Sequence, residues 1–195
     1  MTFDDAYRSV LDLAYPILSS LGLPATVFVV TDFADERRPL EWPGIDHWRG
    51  GPHEPELRGL NWKELAELAD SGWEIGSHTR THPRLTRLSD EALARELEES
   101  RARCEQVLQR PCRSLAYPYG DFDGRVVAAA AKAGYTAAAI EGLVRPRPLA
   151  WPRVGVYREN SMTHFRLKVS PTLGELRTRF GRAERERTRL TAAAK

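Results

Sequence analysis

Residues 73–85 read WEIGSHTRTHPRL, Trp73 through Leu85, and the fold follows from how this stretch is parsed. Trp73–Ile75 reads as a short strand, running into Gly76-Ser77-His78. Two histidines, His78 and His82, follow at once with H-x-x-x-H spacing. Chemistry-bearing side chains placed immediately after a strand are the mark of a parallel α/β architecture, where sites are built at the carboxyl ends of the strands.

Working outward, the same alternation recurs. Upstream, Thr2-Phe3 reads as the tail of a strand whose beginning is missing. Residues 6–21 carry Val10, Leu11, Ala14, Ile17, Leu18 and Leu21 at helical spacing, with Pro16 expected to kink or restart the helix and Gly22 to end it. Ala25–Thr31 is a continuous β-branched run, the pattern of a strand buried on both faces. Residues 32–60, rich in Pro, Gly and Trp, read as a long loop, ordered as a flap by Trp42 and Trp48. Asn61 and Glu64 form a capping box for a helix that ends at Ser71-Gly72. Downstream, Ser89 caps a long helix with Leu93, Leu97, Cys104, Val107 and Leu108 on one face. Ser114–Tyr117, Thr136–Ile140 and Arg153–Tyr157 read as strands, and 124–133 as a helix. The expected class is α/β with a parallel sheet or barrel.

The chain has 195 residues, 42% hydrophobic and 29% charged, with a formal net charge of +2. That composition fits a soluble globular domain, and the charge is too balanced to argue for a nucleic-acid partner. Six arginines between Arg177 and Arg189 alternate with Glu184 and Glu186, the pattern of a solvated helix rather than a binding stripe. We therefore divide the chain into a domain over 1–181 and a charged tail over 182–195. No apolar run reaches the roughly 18 residues a membrane span needs. The start lacks a basic region and an apolar core, so it does not read as a signal peptide, and the expected location is cytoplasmic. Two cysteines do not make a disulfide framework, and Cys104 is expected to be buried packing. His47 and His53, in the long loop, are expected to be surface residues. The sequence leaves the oligomeric state open.

Asp4 and Asp5 supply what the two histidines lack. Two imidazoles and one carboxylate leave a coordination position free for water, as in catalytic zinc sites, and a second carboxylate beside them can take a proton. Neighbouring residues on an extended strand point to opposite faces, so both carboxylates can serve one site only where the strand gives way to a loop. One is expected right after Phe3.

Together these segments resemble the polysaccharide deacetylases, the family-four carbohydrate esterases with a NodB-homology domain. Thr2-Phe3-Asp4-Asp5-Ala6 is similar to the first motif, His78-Thr79-Arg80-Thr81-His82-Pro83 to the second, and Tyr117-Pro118-Tyr119-Gly120 to one form of the third. The likeness extends over roughly residues 2 to 157. It implies a distorted (β/α) barrel, here lacking part of its first strand. It also implies a divalent metal ion, zinc foremost, held by Asp5, His78 and His82, with Asp4 as general base. The backbone N–H of Tyr119 would stabilise the oxyanion. The implied substrate is an acetylated carbohydrate.

Four positions depart from the family pattern. Ala116 stands where the third motif usually carries an arginine; Arg153 is expected to replace it by pairing with Asp4. The late leucine-x-histidine motif has no clean counterpart. His164 is the one histidine downstream, a candidate general acid set against a surface role or proton supply by solvent. Ala6 replaces a glycine, tolerable where φ is negative. The chain also starts inside the first motif, which would loosen Asp4 and Asp5. The expected activity is removal of acetyl groups from N-acetylglucosamine units. The competing readings are an O-acetyl xylan esterase using the same site and a catalytically impaired carbohydrate-binding domain.

Overall fold

The computed structural model describes residues 1–36, 38–142, 146–157 and 160–170. The expected charged tail, 182–195, lies outside the described residues. The chain forms two compact units, one of residues 1–138 and one from Ala139 onward. No helix is long and apolar enough to cross a membrane among the described residues.

The first unit is a parallel sheet wrapped by helices. Strand β1 (Thr2–Phe3) pairs with β2 (Thr26–Val29), β2 with β3 (Glu74–Ser77), and β3 with β4 (Ser114–Ala116), all parallel, so strand order follows chain order. Each crossover is helical, as parallel pairing requires. It runs through α1 (Tyr15–Ser20), then α2 (Thr31–Glu36) and α3 (Trp62–Asp70), then α4 (Asp90–Leu108). Helix α5 (Gly124–Lys132) leads to β5 (Ala137–Glu141), whose start is anchored by the N–H groups of Thr136 and Ala137 on the carbonyl of Arg113 at 2.9 and 3.2 Å. The core lies between sheet and helices and includes Val27, Leu65, Leu68, Leu93, Leu97 and Leu115. Gly76 lets β3 fit here, because a Cβ would lie 2.6 Å from the Phe28 ring.

Local chemistry explains the element ends. Asn61 caps α3 with the reciprocal Glu64 bond of a capping box, and the Ser89 hydroxyl accepts from the N–H of Ala92 to start α4. The first helix is more unusual. Val10–Ala14 is π-helical and α1 follows with Pro16 in its first turn, so the expected restart occurs. A proline there cannot donate an N–H and crowds the carbonyl four residues back; the wide turn absorbs both problems. That extra residue also rotates the stripe. Val10 and Leu18 are buried, whereas Ile17 and Leu21, expected inward, face solvent.

Two further expectations are corrected. The 32–60 loop contains a helix, since α2 begins at Thr31, where the N–H groups of Thr31 and Asp32 bond the carbonyls of Thr79 and Arg80. The last strand is shifted. In the second unit β6 is Trp151–Arg153, paired parallel to β5, and residues 154–157 are irregular. Helix α6 (Met162–Val169) follows, capped by Ser161.

Candidate metal centre

At the carboxyl end of β1 the chain turns left-handed, with φ of 68° at Asp5 and 54° at Ala6. This is the loop needed to bring both carboxylates to one side. It also reverses the expectation for Ala6, which tolerates the glycine position at positive φ. The turn is held from outside: the N–H of Leu60 bonds the carbonyl of Ala6 at 2.8 Å, and that of Arg8 bonds the carbonyl of Arg58 at 2.8 Å. The end of the 38–60 segment is thus stitched to the aspartate turn, while His47 and His53 are exposed.

At the end of β3 the backbone does the same, with positive φ at Thr79 and His82, and after β4 at Tyr119. Among the described residues six non-glycine positions have positive φ, and five of them (Asp5, Ala6, Thr79, His82, Tyr119) lie on these three turns. The sixth, Gln109, ends α4. Each such residue costs on the order of 1 kcal/mol, so their concentration at one edge marks a functional site held in place by its surroundings.

Three donors converge there. His78 Nε2 lies 3.3 Å and His82 Nε2 3.5 Å from Asp5 Oδ1, and ligand atoms of the three residues all fall within 4.8 Å of one another. Both rings are buried. His78 Nδ1 sits 2.8 Å from the carbonyl of Ala116. A carbonyl only accepts, so Nδ1 carries the proton and the Nε2 lone pair faces Asp5. Asp5 Oδ1 and His82 Nδ1 are buried without hydrogen-bond partners in the described structure.

The electrostatics suit a cation. Burial works to lower the pKa of His78, but the neighbouring carboxylates of Asp5 and Asp4 outweigh it, and the net shift is upward. His82 is pushed down to about 2, by burial and then by the charge of His78, so it is a neutral imidazole with a free lone pair. Tyr7 is raised by burial, by the Asp5 charge and by its hydrogen bond to Asp5. The donor set of two imidazole nitrogens and one carboxylate, with an orphaned buried oxygen at its centre, fits a divalent metal ion.

Several residues at the site gave little sequence signal. Trp42, from the flap, stacks on the His82 ring at 4.1 Å between centroids and closes its outer face. Tyr119 meets the same ring edge-on at 4.6 Å, and the Arg84 guanidinium lies 4.5 Å over Tyr119. Thr86 donates its N–H and hydroxyl to the Asp121 carboxylate, tying the second turn to the third. Glu96 accepts from the turn between the histidines. Asp4 is half-buried, near enough for its charge to act on His78. Ala116 is fully buried, and its carbonyl is what orients His78. Arg153 ends β6 in the second unit, and His164 is exposed in the first turn of α6.

Fold and site together define an α/β protein with a candidate mononuclear metal centre at the carboxyl ends of parallel strands. The polysaccharide deacetylase family model matches residues 1–138, and the chain belongs to that family. It is 26% identical over 129 residues to a poly-beta-1,6-N-acetyl-D-glucosamine N-deacetylase of Staphylococcus aureus, covering 62% of this chain and 39% of the relative. The chain thus spans about two fifths of the length of the curated relatives it matches. Among solved structures it resembles the Streptococcus pyogenes deacetylase PplD in complex with acetate, with a TM-score of 0.71 at 23% identity over 87% of this chain and 69% of that one. It also resembles a de-N-acetylase from Aggregatibacter actinomycetemcomitans, with a TM-score of 0.71 at 19% identity over 86% and 73% of the two chains. The fold class is the (β/α) barrel of the polysaccharide deacetylases.

Proposed function

We propose that the protein is a metal-dependent carbohydrate deacetylase acting on N-acetylglucosamine units of a polysaccharide. The observation that carries this reading is the convergence of Asp5, His78 and His82, with His78 locked in the tautomer that presents Nε2. Zinc is the proposed ion, since two imidazoles and a carboxylate are a catalytic zinc donor set. Such an ion supplies Lewis acidity, polarising an acetyl carbonyl and acidifying water.

The chain's own residues then have divided tasks. Asp5 and the two imidazoles hold the ion. Asp4, on the same turn, takes the proton from the attacking water as its oxygen bonds the acetyl carbon. The backbone N–H of Tyr119 is the proposed donor to the oxyanion, a contribution of about 3–4 kcal/mol to the barrier where such a donor is well aimed. When the carbon–nitrogen bond breaks, acetate leaves and the amine needs a proton, from His164 or from solvent. Arg153 is the proposed partner that orients Asp4. Substitution of Arg153 by alanine should then lower turnover, and an unchanged rate would remove that role.

The decisive experiment is acetate release from N-acetylglucosamine oligomers and from acetylated xylan, with and without chelator. Chelator-sensitive release from the amino sugar supports the proposal, and release from xylan alone shifts it to an O-acetyl esterase. Ala116, standing where the family carries an arginine, favours one second reading, a catalytically impaired carbohydrate-binding domain. Sugar binding without acetate release would establish it.

A further inference from the structure

Helix α4 buries a carboxylate in a largely apolar face. Glu96 shares its inward side with Leu93, Leu97, Ser100 and Cys104, and only about a twelfth of its surface remains exposed, 8%. Burying a carboxylate is unfavourable unless hydrogen bonds compensate, and here three do. Glu96 Oε2 accepts the N–H of Arg80 and the N–H of Thr81, each at 2.9 Å, and Oε1 accepts the Thr81 hydroxyl at 2.7 Å. All three donors belong to the three-residue spacer between His78 and His82.

One helical turn later the same face holds the other end of that spacer. The Ser100 hydroxyl accepts from the Ser77 hydroxyl at 2.9 Å, and the Ser77 oxygen accepts the N–H of Thr79 at 3.1 Å. The Thr79 hydroxyl in turn accepts the N–H of His82 at 3.1 Å. Thr79 and His82 are both left-handed, with φ of 68° and 63°, a conformation that persists only where neighbours over-determine it. The three Glu96 bonds end on residues 80 and 81, and so fix the backbone that spaces the two imidazoles.

We infer that Glu96 is a positioning residue that sets the distance and aim of the two histidine ligands through the backbone of residues 79–81. The inference rests on the metal-centre reading above and adds to it a requirement on a helix outside the ligand set. It is a matter of geometry and not of charge. A glutamine can offer its carbonyl oxygen to both N–H groups and its amide N–H to the Thr81 hydroxyl, which accepts as well as donates.

The test is zinc affinity of the full chain, measured by competition with a chromophoric chelator, alongside thermal unfolding of the metal-free protein. Glu96→Ala should weaken zinc binding by on the order of ten- to a hundredfold, the range seen when groups orienting metal ligands are removed. Glu96→Gln should stay close to wild type. If Glu96→Ala does not fold, Thr81→Val removes the hydroxyl bond alone and should still weaken zinc binding. Glu96→Ala that binds as wild type overturns the inference, as does Glu96→Gln as weak as the alanine variant or Thr81→Val with unchanged affinity. Wild-type protein that takes up no zinc overturns the metal reading itself, and the inference with it.

Discussion

Asp4 and Asp5 are adjacent and identical in chemistry, and the proposed function gives them different work. The left-handed turn at Asp5 aims its carboxylate at the two imidazoles, and Asp4, whose charge also acts on His78, is the proposed base. Asp4→Asn should therefore keep zinc binding and lose acetate release by on the order of a hundredfold or more, the range for a positioned base. Equal loss of both would contradict the division of labour. At this scale the histidine and aspartate pairs were legible because a donor set is a property of residue type and spacing. Trp42 and Glu96 were harder. A tryptophan in a Pro/Gly-rich segment looks like packing, and its place on the His82 ring depends on contacts across 40 residues of chain. Glu96 did leave a trace, an acid on the stripe of Leu93 and Leu97, where a solvated helix face would not put one.

The elements that read clearly were those whose ends are fixed by their own sequence. The Asn61 capping box and the Ser89 cap are local bonds, so α3 and α4 start where expected. Helix α2 did not read that way, because its first N–H groups are satisfied by Thr79 and Arg80 in another crossover. Strand β6 was displaced because Pro152 lies inside it, and a missing N–H argues against a strand when only sequence is available. Helix α4 carries the most consequence, since Leu97 is fully buried and Tyr135 hangs from it. Leu97→Ala should destabilise by about 2–5 kcal/mol, read from denaturant unfolding. The Tyr135 hydroxyl donates to the carbonyl of Leu97 at 3.0 Å and lies 3.1 Å from the Ser100 hydroxyl. Burial above all raises its pKa over the ordinary tyrosine value. A group raised in the folded state stabilises fully below its unfolded pKa, about 10, and that contribution is lost as pH rises further. Denaturant midpoints should hold between pH 8 and 10 and fall beyond it, and Tyr135→Phe should make that alkaline fall shallower. An identical fall in the variant would exclude Tyr135 as a source.

At the scale of the molecule, all three proposed ligands and the proposed base lie in the first compact unit, the same residues the family model matches. Their donors come from turns after β1 and β3, and the third turn, after β4, packs Tyr119 on His82. A site assembled this way ties metal binding to global stability, because unfolding scatters ligands that lie more than 70 residues apart in the chain. An ion that binds only the folded state stabilises it by about 2.7 kcal/mol at a free concentration a hundred times its dissociation constant. For a chain of this size that corresponds to a rise of roughly 5–10 °C in melting temperature. Zinc added to chelator-treated protein should produce that rise, and chelator should reverse it. His78→Gln, which removes one donor and the tautomer lock on Ala116, should melt at the same temperature with and without zinc. A wild-type curve indifferent to zinc, or a His78→Gln curve that shifts as far as wild type, would mean that these three side chains do not form the metal centre.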